Sequence, residues 1–284
     1  MLLPPYLNEE LTFAFCYHVY FRWHTHMRRP VAAMRALAAA ELQAVHPEIH
    51  ILQLESSDVE MSVLASLRPS ESVSTAASKL KGAAGKLLRV KVGDAAPPKI
   101  IGGGYFACTC GPATREELDR YLDEQPSHHG YDPHPSSPVF QRTWPESESD
   151  DRALEATHAS TIVQFHLVLA TWNRQGVFAC DAAEAVTECW EKAAVSWLVG
   201  FSKVSFVADH VHVAVRAHPT VVPGQVVLSM LNTSQQLIAE RFPHLLVQAT
   251  IPRLWKPSGY VGTFGELSNS QVQSYLRRWG ASTK

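Results

Sequence analysis

The sequence predicts an α+β chain made of two tandem ferredoxin-like (RRM-like) domains, each a small antiparallel sheet with helices on one face, packed together as a pseudo-dimer. Three observations carry that expectation. One order of elements occurs twice, each repeat ends in a capped helix with a tyrosine at the same place, and a polar segment separates the two repeats. At 284 residues the chain is long enough for two domains that each bury a core.

The elements follow in order. Residues 13–23 (FAFCYHVYFRW) and 162–172 (IVQFHLVLATW) alternate as strands do, with His18 and His166 in matching places. Helical patterns come next, at 31–45 and 182–199, and then strand patterns at 49–64, interrupted near Ser56, and at 201–215. A helix follows in each half, 70–88 and 224–242, and after it a Gly-Tyr strand, Gly104-Tyr105-Phe106-Ala107 and Gly259-Tyr260-Val261-Gly262. Each repeat closes on a helix opened by a capping box, Thr114 with Glu117 and Ser268 with Gln271, and Tyr121 and Tyr275 each lie seven residues beyond the cap. Between the repeats, 126–160 is rich in Pro, Ser, His and acidic residues and has too little apolar surface to fold alone. The expected organisation is a first copy at 9–125, a flexible linker at 126–160 and a second copy at 161–284. The linker reading covers His128, His129 and His134 as solvated residues.

Composition narrows the function classes. Hydrophobic residues make up 46% and charged residues 18%, which is ordinary for a soluble globular chain, and no apolar run approaches the roughly 18 residues of a membrane span. The opening Met-Leu-Leu-Pro-Pro-Tyr lacks a basic stretch followed by an apolar one, so a cytoplasmic, nucleoid-associated location is expected. Five cysteines, an odd number placed in apolar runs, point to reduced, packed thiols. A net charge of -2 argues against a coat for duplex DNA, whose affinity comes from Lys and Arg. Local basic clusters are still compatible with nucleic-acid binding: Lys79, Lys81, Lys86, Arg89 and Lys91 in one place, Arg22, Arg28 and Arg29 in another.

The chemistry-bearing segment is Asp209-His210-Val211-His212-Val213. On a strand, His210 and His212 share one face while Val211, Val213 and Val215 share the other and enter the core. Two imidazoles on one rigid strand suit a divalent ion, and a pair of solvent-facing histidines is the plain alternative.

Several segments together resemble the IS200/IS605-type tyrosine transposases and their repeat-associated relatives, which are HUH endonucleases. They are Tyr17-His18 with Arg28-Arg29-Pro30-Val31, Ser78-Lys79-Leu80-Lys81-Gly82, Gly104-Tyr105-Phe106, Tyr121-Leu122 with Gln125, and Asp209-His210-Val211-His212. The resemblance implies a tyrosine that attacks a phosphate of single-stranded DNA and becomes joined to the 5′ end, and a magnesium or manganese ion held by the histidines and a glutamine. Tyr121 and Gln125, four apart, share a helix face, so one can attack while the other ligates.

Each copy departs from this pattern. In the first, Asp58-Val59-Glu60 takes the expected place of the histidine pair; in the second, Trp279 follows Tyr275 where a glutamine is expected. Asp58, Glu60 and Tyr275 therefore read as a degenerate second site. The family resembles obligate dimers in which one subunit's tyrosine helix completes the other's site. On that pattern Tyr121 and Gln125 would join His210 and His212 in one composite site within a single chain. The implied substrate is single-stranded DNA with hairpin or palindromic ends. The rival reading is a domesticated protein that binds a DNA or RNA hairpin without cutting it.

Overall fold

Strand β2 (His18–His24) buries every second residue, Val19, Phe21 and Trp23, as its apolar alternation requires. The same pattern recurs in β4 (Glu60–Ser66) and β8 (Gln164–Ala170). The computed structural model describes residues 3–26, 37–57, 59–128, 139–145, 154 and 156–265. It is an α+β structure with two sheets in which most strand pairs are antiparallel.

The five-stranded sheet runs β3 (His50–Ser56), β4, β2, β5 (Tyr105–Cys110), β7 (Ala159–Ile162). The six-stranded sheet runs β1 (Thr12–Cys16), β11 (Ser258–Thr263), β8, β10 (His210–Ala217), β9 (Val199–Val207), β6 (Phe140–Thr143). Each contains the same antiparallel four, β3-β4-β2-β5 matching β9-β10-β8-β11, so the repeated element order is a repeated topology. Each also takes one strand from the other half, laid parallel: β1 on β11 and β7 on β5. The residues 13–23 that read as one strand are thus two, because the chain passes from one sheet to the other at Tyr17, as it does at Val163 in the second half. Pairing the edge of each Gly-Tyr strand with the other half satisfies a row of backbone groups that would otherwise stay open.

The two crossings are fastened alike. Thr263 Oγ1 donates to Cys16 O (3.1 Å) and accepts from His18 N (2.9 Å), while Thr109 Oγ1 donates to Ile162 O (3.4 Å) and accepts from Gln164 N (3.0 Å). Tyr17, fully buried, meets Phe165 edge-on at 5.2 Å, so a single core joins both halves. Gly111 and Gly265 stand two residues beyond the two threonines and meet through Gly111 N to Gly265 O (3.3 Å). Side-chain carbon on Gly111 would lie 1.9 Å from Thr263 O, so only glycine fits there.

Helices cover the core faces. In the first half, α1 (Ala39–Val45) and α2 (Val73–Val92) do so, α2 being capped by Ser72 Oγ on Thr75 N and burying Ala76, Ala77, Leu80, Ala83, Ala84 and Leu88. In the second, α4 (Cys180–Trp197) packs on α5 (Pro223–Arg241), with Trp190 Nε1 donating to Met230 O; α6 (Pro243–Gln248) follows. Between the halves, α3 (Arg115–His128) leaves β5 and lies on the six-stranded sheet, where Leu118 and Leu122 pack on Ala214 and Phe264. Its expected capping box is present: Glu117 N donates to Thr114 Oγ1, and Thr114 N to Glu117 Oε2. The corresponding second-copy helix, with Tyr275 and Trp279, lies outside the described residues.

Two expectations need correction. The segment 126–160 is more than a linker, because it supplies β6 and the start of β7, whose backbone groups complete the edges of both sheets. Of the five cysteines, Cys108 and Cys110 are buried but Cys180 is exposed, at the open start of α4. Among the described residues no helix is long and apolar enough to cross a membrane.

Candidate active site

The face of the six-stranded sheet beneath α3 gathers the polar residues. Along β10, Val211, Val213 and Val215 enter the core as alternation demands, and His210 and His212 take the opposite face. That face is covered as well: His210 is 2% and His212 5% exposed, so the pair is not solvent-facing. Cross-strand neighbours on β8 are Ala170 for His210, Val168 for His212 and His166 for Ala214, and β11 sets Tyr260 beside Val168.

Contacts chain these side chains together. His166 Nε2 and His212 Nδ1 share a hydrogen bond of 2.9 Å, with the rings stacked at 5.1 Å. Burial pulls the His166 imidazole down to about 4, so it is neutral near pH 7. His210 Nδ1 bonds Asp209 Oδ1 at 2.7 Å, and the other carboxylate oxygen takes Arg174 Nε at 2.7 Å. The Tyr121 ring, 38% exposed, reaches in from α3 to lie edge-on to His212 at 5.6 Å. The first half's tyrosine and the second half's histidines are therefore neighbours. Gln125 falls one turn beyond Tyr121 on α3, and its side chain lies outside the described residues.

Residues absent from the sequence reading hold α3 in place. Lys203, buried on β9, donates to Asp119 O (3.1 Å) and pairs with Asp123 (2.6 Å). Gln141 on β6 donates to Leu122 O (2.9 Å), which also accepts from Ser205 Oγ (3.3 Å). These bonds satisfy helix carbonyls from below and fix the height of Tyr121 over the sheet. His166, read from the sequence only as a marker of the repeat, also belongs to the site.

The matching face of the five-stranded sheet differs in register and in charge. Ser57 N donates to Glu60 O across a two-residue turn, as Val207 and His210 pair across Ala208-Asp209. Tyr20 pairs with Leu64 and Cys108 as His166 pairs with Ala214 and Gly262. Glu60 therefore stands where His210 stands, Ser62 where His212 does, and Tyr20, not His18, where His166 does. The assignment of Asp58 and Glu60 to the two histidine places is two residues out of step, because Glu60 takes the first of those places and Ser62 the second; Asp58 itself lies outside the described residues. Glu60 is ion-paired with Arg22 and lies 3.4 Å from His24 Nδ1.

The basic cluster on α2 is largely engaged within the protein. Lys79 pairs with Glu71 (2.6 Å) and Glu48 (3.1 Å), Lys81 bonds Gly103 O and Gly104 O, and Arg89 bonds Pro97 O and Pro98 O. Lys86 is exposed; Arg28 and Arg29 lie outside the described residues. Among the described residues, no three His, Cys, Asp or Glu side chains are grouped as metal ligands.

Residues 159–278 match the family model described as Transposase IS200 like. The similarity to that family falls within the second copy. The matched residues include His166, His210, His212 and Tyr260, while Tyr121 comes from outside them. Among solved structures, the chain is similar to a candidate transposase from Deinococcus radiodurans at 24% identity, over 44% of this chain and 95% of that one, with a TM-score of 0.37. It is also similar to a mutant chlorite dismutase from Candidatus Nitrospira defluvii at 12% identity, over 95% of this chain and 99% of that one, with a TM-score of 0.23. Scores this low carry no weight for function. A search of curated proteins gave no match.

Proposed function

We propose that this protein cleaves and rejoins single-stranded DNA with hairpin ends through a phosphotyrosine on Tyr121, at one composite site shared by its two halves. The observation that carries this reading is the approach of Tyr121, from the first half, to within 5.6 Å of His212, in an IS200-like transposase half. The reciprocal exchange of β1 and β7 supports the internal pseudo-dimer that such a site needs.

The donor chemistry fits a divalent ion. With Asp209 on Nδ1, His210 carries its lone pair on Nε2, and donation from His212 Nδ1 to the neutral His166 does the same for His212. His210, His212 and Gln125 would hold magnesium or manganese, which when bound polarises the scissile phosphate. The residues of the chain do the rest. Tyr121 Oη forms a bond to phosphorus as the phosphorus–O3′ bond breaks; the phenol gives up its proton and the departing 3′ oxygen gains one. Attack by a 3′ hydroxyl on the tyrosyl phosphate reverses the step. Lys203, Gln141 and Ser205 keep the tyrosine helix seated throughout.

A labelled single-stranded hairpin incubated with the full chain and Mn2+ tests this. The expected result is a denaturant-stable DNA adduct in wild type that is missing from Tyr121→Phe. Hairpin binding without any adduct would instead favour a binding protein that does not cut.

A further inference from the structure

A second feature of the same sheet face lies beside the histidines. A cleft of about 880 Å³ opens next to β8 and β11, and its lining includes Val168, Ala170, Trp172, Arg174, Lys256 and Tyr260. Val168 and Ala170 are the cross-strand partners of His212 and His210, so the floor of the cleft is the strand next to the histidine pair. Its outer wall is Thr12, Phe13 and Ala14 of the donated strand β1, so both halves build it.

The lining has the character of a single-strand binding groove: aromatic faces for bases, cations for the backbone and, among the described residues, no acidic side chain. Arg174 is half-exposed and linked through Asp209 to His210, which ties the cleft to the site. Its backbone is costly: Asn173 and Arg174 both have left-handed φ, 52° and 57°. Thr171, fully buried, holds that turn by donating to Gln175 O (2.7 Å) and Asp209 O (3.0 Å). Strain kept by such bonds aims Arg174 along the cleft toward Asp209.

We infer that this cleft binds the unpaired nucleotides adjoining the phosphate to be cut, with Trp172 and Tyr260 as stacking surfaces and Arg174 and Lys256 against the backbone. The inference rests on the cleavage reading for the identity of its ligand, yet it can be tested without cleavage. In chelator, the full chain is titrated against a fluorescein-labelled thymidine strand of about ten nucleotides. Trp172→Ala should weaken binding about tenfold and Trp172→Phe should restore most of it, in keeping with the 1–3 kcal/mol that stacking contributes per base. Lys256→Ala should reduce the slope of log affinity against log salt by about 0.7.

Unchanged affinity in a folded Trp172→Ala, together with an unchanged slope in Lys256→Ala, would overturn the inference. So would duplex DNA that binds as tightly and responds to both variants. Should Trp172→Ala fail to fold, Trp172→Phe and Lys256→Ala decide. A wild type that shows these binding losses but forms no Tyr121 adduct keeps the cleft and sinks the cleavage reading. An adduct formed alongside unaltered binding by the variants does the reverse.

Discussion

The two sheets share a four-strand topology, and their outer faces have taken different chemistry at the same places. Where one carries His210, His212 and His166, the other carries Glu60, Ser62 and Tyr20. On the first face a carboxylate and a neutral imidazole sit behind the two histidines and orient them. On the second, the carboxylate itself is captured by Arg22, with His24 beside it. The contrast teaches that a repeated backbone does not imply a repeated set of side chains: two differences on one strand replace a buried imidazole pair by an ion-paired carboxylate and a hydroxyl.

The comparison can be broken most directly at the nucleophile. Tyr121→Phe should leave no detectable DNA adduct while Tyr275→Phe retains most of it, as read by mass spectrometry of the reacted chain; equal loss from both would mean two working sites. Next come the strand residues. His212→Ala should cut nicking by about a hundredfold and abolish manganese binding by calorimetry. Glu60→Ala at the other sheet should leave nicking intact and cost at most about 1 kcal/mol, as expected of a partly exposed ion pair. Nicking lost in Glu60→Ala would show the second face to be functional.

The join between the halves offers a third test. Gly111→Ala pushes a methyl group against Thr263 O and should cost about 2–3 kcal/mol in urea unfolding, with both sheets lost in one transition. A variant as stable as wild type would mean that the backbones there can separate.

The smallest effect is set by pH. His166 is held neutral down to about 4 when folded, against 6.5 when free, so the unfolded chain binds the extra proton between those values. Stability from this group is complete above about pH 6.5 and is lost as pH falls toward 4, by about 1–3 kcal/mol. His166→Gln, measured in chelator, should flatten the acid limb of the stability curve, and an unchanged limb would place the acid sensitivity elsewhere.

Much of this was legible in the sequence, for identifiable reasons. Alternation placed Val211 and Val213 inward and the histidines outward, and the Thr114–Glu117 cap located the helix that carries Tyr121. The exchange of strands was not legible, because the crossing at Tyr17 uses one apolar residue and no turn signal. The four-residue strand β6 is likewise too short and polar to stand out, although its Gln141 supports the tyrosine helix. The register slip had a visible remedy: Tyr20 precedes Arg28 by eight residues, as His166 precedes Arg174, whereas His18 precedes Arg28 by ten. Matching histidine to histidine overrode that spacing.

The paired crossings at Tyr17 and Val163 also bear on how the assembly responds to dilution. Two separate chains that traded strands in this way would be governed by mass action, and would part as their concentration fell. Here the donor and the acceptor of every traded strand lie on one polypeptide, so the encounter is intramolecular and its effective concentration is set by the chain between the halves. The traded strands should then stay paired as fully at one molecule per cell as at a thousand.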